Sequence, residues 1–422
     1  MFKNILKNSS SCNQEGGAVS GVRGWSIRWT GWALVALGFS LPLSTGGTSV
    51  LLGIILLLWL IGGNFREQGR KMLAHPLARA ALVLFVLYVF GLFYGNPSDR
   101  VIFDVTHFLL LAIFLMLFRG EKIRRYALWG FLSAALILLI LSYLSWLHFA
   151  PWMEAVGIHP CVGEPLVMIQ DPITYAFFVS IAAFCWTVEA LFTMSKAKKG
   201  VFLLLAALAV FNLLGIIHNK TVYLVLPALF GYFLIARWRW KGAAVLGLTV
   251  SLIAIITWNF PATPIYQNVA KAVREYREWH PDKVDLTSTG LRRGFYHNTV
   301  EIIREHPLFG VGIGGFAPAY AKKVKDFGMI QTDNPHNEYL FVAVQLGMIG
   351  LAALLYLFYT QWRLATRLPT RREMLLARGV LLAFMVGCLF NSFLTDYDEG
   401  VFFVWITALL FSGLNPLEKK WI

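Results

Sequence analysis

The sequence predicts an all-α polytopic membrane protein with about twelve transmembrane helices and one long helical loop between the ninth and tenth spans. Of its 422 residues, 57% are hydrophobic and only 14% are charged, and the mean hydropathy is +0.62. The hydrophobic residues recur in long runs, and the basic residues gather in alternate connections between those runs. A chain of this composition has lipid as its solvent.

The apolar runs are close to the roughly 20 residues that an α-helix needs to cross the hydrocarbon core. The predicted spans are residues 29–44, 47–63, 80–95, 101–118, 127–150, 172–192, 201–217, 221–236, 243–260, 338–360, 379–395 and 400–416. Residues 29–260 thus hold spans one to nine, and residues 338–416 hold spans ten to twelve. Residues 1–28 and 417–422 are polar tails. No A-x-A-like cleavage site follows the first tail, which favours an uncleaved first span.

The positions of the charges predict the orientation. Lys and Arg outnumber Asp and Glu by 37 to 23, and 25 of these 37 cations lie in alternate connections and the two tails. The positive-inside rule assigns that side, with both termini, to the cytoplasm. Cations distributed in this way reflect a membrane topology, so no nucleic-acid partner is expected.

The 77-residue segment 261–337 lies on the other side and is too long for a simple connector. An apolar face at helical spacing predicts a helix over residues 292–305. Pro307 and the glycines of GVGIGGF predict its end and a tight turn. That turn lacks the GK[ST] ending of a phosphate-binding loop. The stretch TDNPHNEYLF then brings His336 to the start of the tenth span.

The residue types on this side suit a phosphorylated donor. Arg292 and Arg293 start the loop helix, where the helix dipole disfavours cations, which suggests a nearby anion. With Lys220 on a short connection, they can neutralise a diphosphate leaving group without a metal. A neutral His336 can accept a proton from an attacking hydroxyl. Outside the cytoplasm there is no nucleoside triphosphate, so a lipid-linked sugar diphosphate is the expected donor.

Each of these residues also has a simpler interpretation. His336 could merely hydrogen-bond its own turn, the arginines could form a solvated helix start, and Lys220 could anchor its span at the membrane interface. Three carboxylates before the last span, Asp396, Asp398 and Glu399, either orient the hydroxyls of an acceptor sugar or belong to a solvated loop. The cysteines and histidines have no metal-ligand spacing, so neither a metal nor another cofactor is expected.

Two segments resemble the O-antigen ligase and polymerase superfamily. They are LRRGFYHNTVEIIREHPLFGVGIGGF and NPHNEYLFVAVQLGMIG, which lie within a stretch of about sixty residues, 291–350, and hold the Arg-bearing helix, the glycine turn and the NPHN motif typical of that superfamily. The early LPLSTGGTSVLLGIILLLWLIGG resembles the first two spans of O-antigen ligases.

The resemblance implies an inverting, metal-independent glycosyltransferase of the GT-C type. Such enzymes transfer a polysaccharide from undecaprenyl diphosphate to a sugar of the lipid A core, at the periplasmic face of the bacterial inner membrane. The superfamily's helix-start Arg falls on Arg292, with Arg293 adjacent, and its motif His falls on His336. Lys220, in HNKTVYL, stands where the superfamily usually has a further Arg, so the bidentate guanidinium is missing there.

Other functions stay open at this point. An O-antigen polymerase would use a second lipid-linked glycan as acceptor, and a protein O-oligosaccharyltransferase would use a Ser or Thr side chain. The ligase-like first two spans favour the ligase. A transporter has the same span count, but no repeated halves or matching pair of broken helices is visible in the sequence.

Overall fold

A computed structural model describes residues 21–96, 99–147, 170–217, 219–280, 285–325 and 330–414. Regular structure in these ranges is helical, with no β-strand. The sixteen α-helices described are α1 (Val22–Ser40), α2 (Thr45–Gly62), α3 (Phe65–Ala74), α4 (Pro76–Leu92), α5 (Asp99–Leu117), α6 (Glu121–Trp146), α7 (Pro172–Phe192), α8 (Lys196–Asn212), α9 (Val222–Trp238), α10 (Trp240–Asn259), α11 (Pro264–Glu278), α12 (Ser288–Glu305), α13 (Phe316–Val324), α14 (Glu338–Leu364), α15 (Arg371–Gly387) and α16 (Tyr397–Phe411). The polar tails at residues 1–20 and 417–422 lie outside the described residues.

A helix lies at each of the twelve positions where the sequence predicts a span. By length and composition, six helices in the described ranges can cross a membrane, or seven if α3 and α4, which meet at 98°, count as one span. An all-helical polytopic membrane protein is therefore confirmed. The number of twelve spans stays a prediction.

The eleventh predicted span, residues 379–395, has different bounds from the helix in the structure, α15, which covers Arg371–Gly387. Helix α15 ends at Gly387, and turns follow up to residue 396. The carbonyl oxygens at the end of the helix bond to another segment: Cys388 accepts the N–H of Glu338 and Leu389 accepts the side-chain amide of Asn337, both at 2.9 Å. These bonds help to hold the turns against the start of α14.

Helices α7 and α16 form the centre of the bundle. From residue 399 to 411, every residue of α16 is buried, and α7 is buried on almost all sides. A helix that is apolar all round belongs in the interior. Aromatic rings fill the contacts between the helices, with Phe131 and Phe402 stacked at 4.8 Å. The indole N–H of Trp405 donates to the carbonyl of Leu34 at 2.9 Å.

The long segment between α10 and α14 contains three helices, α11 to α13, and a small apolar core of its own. Buried side chains of α12 and α13, among them Phe295, Ile302, Phe316 and Tyr320, pack against Val344 of α14. This core fixes the loop helices on the end of the bundle, close to the NPHN segment.

The glycine turn at residues 310–314 is inserted into a break in α14. Gly347 has φ +67° and ψ −166°, which interrupts the helix. Successive N–H groups of residues 311–314 donate to the carbonyls of Val344, Gln345 and Gly91 and to the side-chain oxygen of Gln345, at 2.8 to 3.1 Å. Because these N–H groups are already bonded, the segment is a structural turn and does not cradle a phosphate.

Candidate active site

The NPHN segment holds His336 in an unusual backbone conformation. His336 has φ +55°, in the left-handed region that L-residues seldom adopt. The side-chain oxygen of Asn334 accepts the N–H of His336 at 2.8 Å and the hydroxyl of Ser392 at 2.7 Å. Two bonds on one amide oxygen therefore fix the turn against the segment that precedes α16.

Tyr296 on α12 holds the same turn from the other side. Its hydroxyl donates to the carbonyl oxygens of His336, at 3.1 Å, and Leu389, at 3.0 Å. Burial raises the pKa of Tyr296, so that this hydroxyl keeps its proton at neutral pH. The ring of Phe295 lies 6.0 Å from the imidazole, between centroids. Two consecutive residues of α12 thus contact His336.

Arg292 lies one helical turn before Tyr296, on the same side of α12, and its charge reaches both the tyrosine and His336. Burial lowers the pKa of His336, the guanidinium of Arg292 lowers it further, and the carboxylate of Asp333 raises it. The balance favours the neutral imidazole at pH 7, which can accept a proton. Arg292 forms no salt bridge within the described ranges, which leaves its charge for a ligand.

Arg293 lies against a different part of the loop. Its guanidinium carbon is 3.9 Å from the ring centroid of Tyr276 and 4.6 Å from that of Trp279. It also donates a hydrogen bond to the carbonyl of Tyr276. These contacts join α12 to α11, so the two adjacent arginines have different surroundings, and Arg292 is the one near His336.

Lys220 is half-buried in the turn that precedes α9. The next residue, Thr221, accepts a long hydrogen bond from Asn391 at 3.4 Å. Asn391 is adjacent to Ser392, which donates to Asn334 of the NPHN segment. The structure therefore brings the Lys220 turn and the His336 turn to the same connection, residues 388–396, from positions more than a hundred residues apart in the chain.

The three predicted acceptor-side carboxylates have different environments. Asp398 accepts the hydroxyl of Thr45 at 2.9 Å, and Glu399 is buried and accepts the hydroxyl of Thr174 at 2.5 Å. Both therefore connect α16 to neighbouring helices. Asp396 lines a cavity beside the NPHN segment. No group of three or more His, Cys, Asp or Glu side chains within the described ranges is arranged to hold a metal ion.

That cavity has a volume of about 970 Å³. Its polar part is lined by Asp333, Asn334, Asp396 and Tyr397, next to the His336 turn. Its apolar walls are one face of α2 and one face of α5: Leu52, Leu56, Trp59, Leu109, Leu110 and Ile113. Along α2 it extends from residue 49 to residue 59, a distance of about 15 Å. The cavity is therefore a long apolar groove with a polar region at one end.

Comparison with known proteins gives the family. A family model described as O-antigen ligase matches residues 201–355, a segment that includes Lys220, Arg292, Arg293 and His336. Over this segment the chain is similar to the O-antigen ligase superfamily.

Two relatives are also similar to the chain. The O-antigen ligase of Salmonella typhimurium is 26% identical over 223 residues, which cover 49% of this chain and 53% of that protein. An uncharacterized protein of Haemophilus influenzae is 25% identical over 312 residues, which cover 70% of this chain and 73% of that protein. The chain thus matches about half the length of the Salmonella ligase.

Several residues of this candidate site were not singled out by the sequence. Tyr296 belongs to the apolar face of the predicted helix 292–305 and takes the aromatic position after the motif Arg, but no role was assigned to it; Ser392 and Asn391 lay inside a predicted span. Glu338, fully buried, accepts the N–H of Leu394 at 3.0 Å. The one available signal was a polar pair, Asn391 and Ser392, within an otherwise apolar run, since polar groups at membrane depth are costly unless they have partners.

Proposed function

We propose that this protein is an O-antigen ligase. It would transfer a polysaccharide from undecaprenyl diphosphate to a sugar of the lipid A core, at the periplasmic face of the inner membrane, as an inverting, metal-independent glycosyltransferase of the GT-C type. The observation that carries the proposal is that the turn of His336, whose imidazole lies within the electrostatic reach of Arg292, adjoins the polar end of an apolar groove. A lipid-linked sugar diphosphate has its parts in the same order: a polar sugar and an anionic diphosphate are followed by a hydrocarbon chain.

In this reaction an acceptor hydroxyl attacks the anomeric carbon of the donor sugar. A carbon–oxygen bond forms on one face while the bond to the diphosphate oxygen breaks on the other, and undecaprenyl diphosphate leaves. His336, neutral at pH 7, takes the proton of the hydroxyl. Arg292 offsets the charge that develops on the leaving diphosphate, and a charge-assisted contact of this kind is worth more in a partly buried site than in water.

Lys220 would supply the second cation on the diphosphate. An ammonium acts as a point charge and lacks the planar geometry of a guanidinium, so it can neutralise the leaving group without fixing its orientation. Arg293, between two aromatic rings, would hold α11 in place rather than contact the donor.

The apolar groove between α2 and α5 would take the part of the undecaprenyl chain next to the diphosphate. About 15 Å of groove is enough for the first few isoprene units, and the remainder would extend into the lipid. Asp396, at the polar end, would orient the acceptor sugar, whereas Asp398 and Glu399 would keep α16 in register with its neighbours through their threonine partners.

Reconstitution tests the proposal. Purified protein would be supplied with undecaprenyl-diphosphate-linked polysaccharide and lipid A core in the presence of a chelator. A ladder of capped lipopolysaccharide establishes a metal-independent ligase. Longer chains on the lipid donor would instead indicate the polymerase, and glycan on an added Ser- or Thr-containing protein would indicate the protein O-oligosaccharyltransferase. His336→Ala should abolish the ladder, and wild-type turnover in that variant would exclude the role proposed for the imidazole.

The structure of the broken helix α14 argues against the transporter alternative. The broken helix α14 resembles the interrupted helices of carriers, whose free backbone groups bind substrate or ions. Here the break at Gly347 is filled by the protein's own turn, and Met348 donates to the carbonyl of Pro307 at 2.9 Å. Glycan transfer by detergent-purified protein, with no ion gradient, would exclude pure transport.

A further inference from the structure

A second cavity, of about 390 Å³, lies at the far end of α2 from the candidate active site. The first residue of α2, Thr45, contacts Asp398 beside that site. Asn64 and Glu67, just beyond the last turn of α2, line the second cavity. Because an 18-residue helix is about 27 Å long, nearly the thickness of the hydrocarbon core separates the second cavity from the polar end of the apolar groove. The charge rule assigns this end to the cytoplasm.

Three cations surround a single carboxylate at this cavity. Lys71 and Arg119 line it together with Glu67. Lys71 lies 2.6 Å and Arg23 lies 3.7 Å from the Glu67 carboxylate. Arg119 forms no salt bridge with a described residue. Three positive charges against one negative charge give this group a net charge of +2, so the cavity attracts an anion.

The electrostatics of the two titrating groups agree with this arrangement. The hydrogen bond from Lys71, with a further one from Asn64, lowers the pKa of Glu67 to about 2, so that this carboxylate is ionised at neutral pH and already paired with Lys71. Desolvation lowers the pKa of Arg119, the like charge of Arg23 lowers it further, and the carboxylate of Glu67 raises it. An added anion would relieve the repulsion between the two guanidinium groups.

Neutral donors also converge on the cavity. Helices α3 and α6 begin at Asn64 and Gly120, which line it, and neither helix start has a side chain that caps its N–H groups. Such helix starts carry a partial positive charge and bind phosphate readily. The hydroxyl oxygen of Ser412, also in the lining, is shielded from solvent and has no hydrogen-bond partner in the described part of the chain.

We propose that this cavity binds the phosphate group of an anionic ligand, through Lys71, Arg119 and Ser412. Two sources supply that chemistry at this face: the headgroup of an anionic phospholipid and free phosphate in solution. The amphipathic helix α3 meets α4 at 98° and exposes Phe65 and Leu73. A helix of this kind lies along a membrane surface, which makes a lipid headgroup accessible to the cavity.

Binding by the purified full-length chain tests the proposal. Retention of phosphatidylglycerol would be measured by native mass spectrometry after mixed phosphatidylglycerol and phosphatidylcholine nanodiscs are dissolved. Inorganic phosphate would be titrated against protein in phosphatidylcholine nanodiscs, with the midpoint of thermal unfolding as the readout. Lys71→Gln and Arg119→Gln should each weaken binding about tenfold, the loss expected for one charge-assisted contact. Arg70→Gln is the matched control, since Arg70 is exposed on α3 and does not line the cavity.

The two assays distinguish the source of the phosphate. The lipid headgroup is the source if the wild type and Arg70→Gln retain phosphatidylglycerol while Lys71→Gln and Arg119→Gln lose it. A phosphate-dependent rise in the unfolding midpoint with the same pattern supports the free anion. Equal losses in Arg70→Gln and Arg119→Gln would overturn the proposal, because binding would then be a general property of a basic surface. No difference between the wild type and Arg119→Gln in either assay would overturn it as well. Ser412→Ala, which removes only a hydroxyl, repeats the comparison if a charge substitution prevents folding.

Discussion

The hydroxyl of Tyr296 donates to the backbone carbonyl of His336 at 3.1 Å, and this bond joins the helix that carries Arg292 to the turn that carries the imidazole. A left-handed backbone costs a non-glycine residue about 1 to 2 kcal/mol. At His336 the bonds from Tyr296 and to Asn334 offset that cost. The relative position of the arginine and the histidine therefore depends on groups that need not touch the substrate.

Replacing Tyr296 with Phe should slow transfer more than it weakens donor binding. The ring would still pack, but the donor to the His336 carbonyl would be lost, so the imidazole would be held less firmly while Arg292 stays in place. We expect kcat to fall about tenfold, with little change in the KM for the lipid donor. Tyr320→Phe is the control, since Tyr320 packs in the same apolar cluster as Tyr296 but its hydroxyl does not bond to His336. An equal fall in kcat for both variants would argue against a positioning role for Tyr296.

The two adjacent arginines should respond differently to substitution. Arg292→Ala should raise the KM for the lipid-linked donor by roughly tenfold or more, because a cation on the diphosphate is lost. Arg293→Ala should mainly lower the thermal stability, because it removes the guanidinium from between Tyr276 and Trp279. Steady-state kinetics and unfolding in detergent would be measured on both proteins. The interpretation of the site fails if Arg293→Ala has the larger effect on donor KM.

The pH dependence of transfer should report the proton affinity of His336. Because its pKa is lowered from the ordinary 6.5, the imidazole is neutral at pH 7 and gains a proton only on further acidification. The value of kcat/KM should therefore be flat near pH 7 and fall below about pH 6.5. Asp333→Asn removes a negative charge that favours the protonated form, so its acid limb should move to lower pH. A shift of that limb to higher pH would contradict the proposed electrostatics.

The apolar groove predicts a dependence on the length of the lipid. Gly53 lies in the groove wall, and a Cβ atom there meets nothing within 4 Å. Gly53→Trp should fill the groove, raising the KM for an undecaprenyl donor while leaving that for a donor with a much shorter prenyl chain nearly unchanged. Val50→Trp, on the same helix but 63% exposed and outside the cavity lining, serves as the control. Loss of activity with both donors would show instead that the bulky residue disrupts the fold.

The helix break at Gly347 predicts a large loss of stability on a small substitution. Its φ is +67°, and a Cβ atom would lie 2.1 Å from the carbonyl oxygen of Leu308. Gly347→Ala should therefore cost roughly 2 kcal/mol or more, seen as a lower midpoint of thermal unfolding and a poorer yield. Gly247→Ala, within α10 and with no atom within 4 Å of the new methyl group, should leave the midpoint unchanged or raise it slightly. Similar midpoints for the two variants would show that the turn is not tightly fitted into the break.

The helical character of the chain and the approximate position of each apolar helix followed from the sequence alone. A transmembrane helix requires a continuous apolar run, so it can be recognised from its own residues without knowing which helices pack against it. The Arg-bearing helix and the NPHN motif, through their resemblance to one superfamily, also singled out Arg292 and His336 as candidate site residues, and their roles in the reaction stay predictions.

Only the tertiary structure decided how these elements meet. Contacts between residues tens to hundreds of positions apart decide three features of the site. They determine that Arg292 rather than Arg293 lies near His336, that the hydroxyl of Tyr296 bonds to the His336 carbonyl, and that α15 ends at Gly387. The sequence pattern records which side chains are polar, but not which distant carbonyl or ring they will face. For the same reason the groove between α2 and α5, and the basic cavity at the far end of α2, became visible only when the helices were packed together.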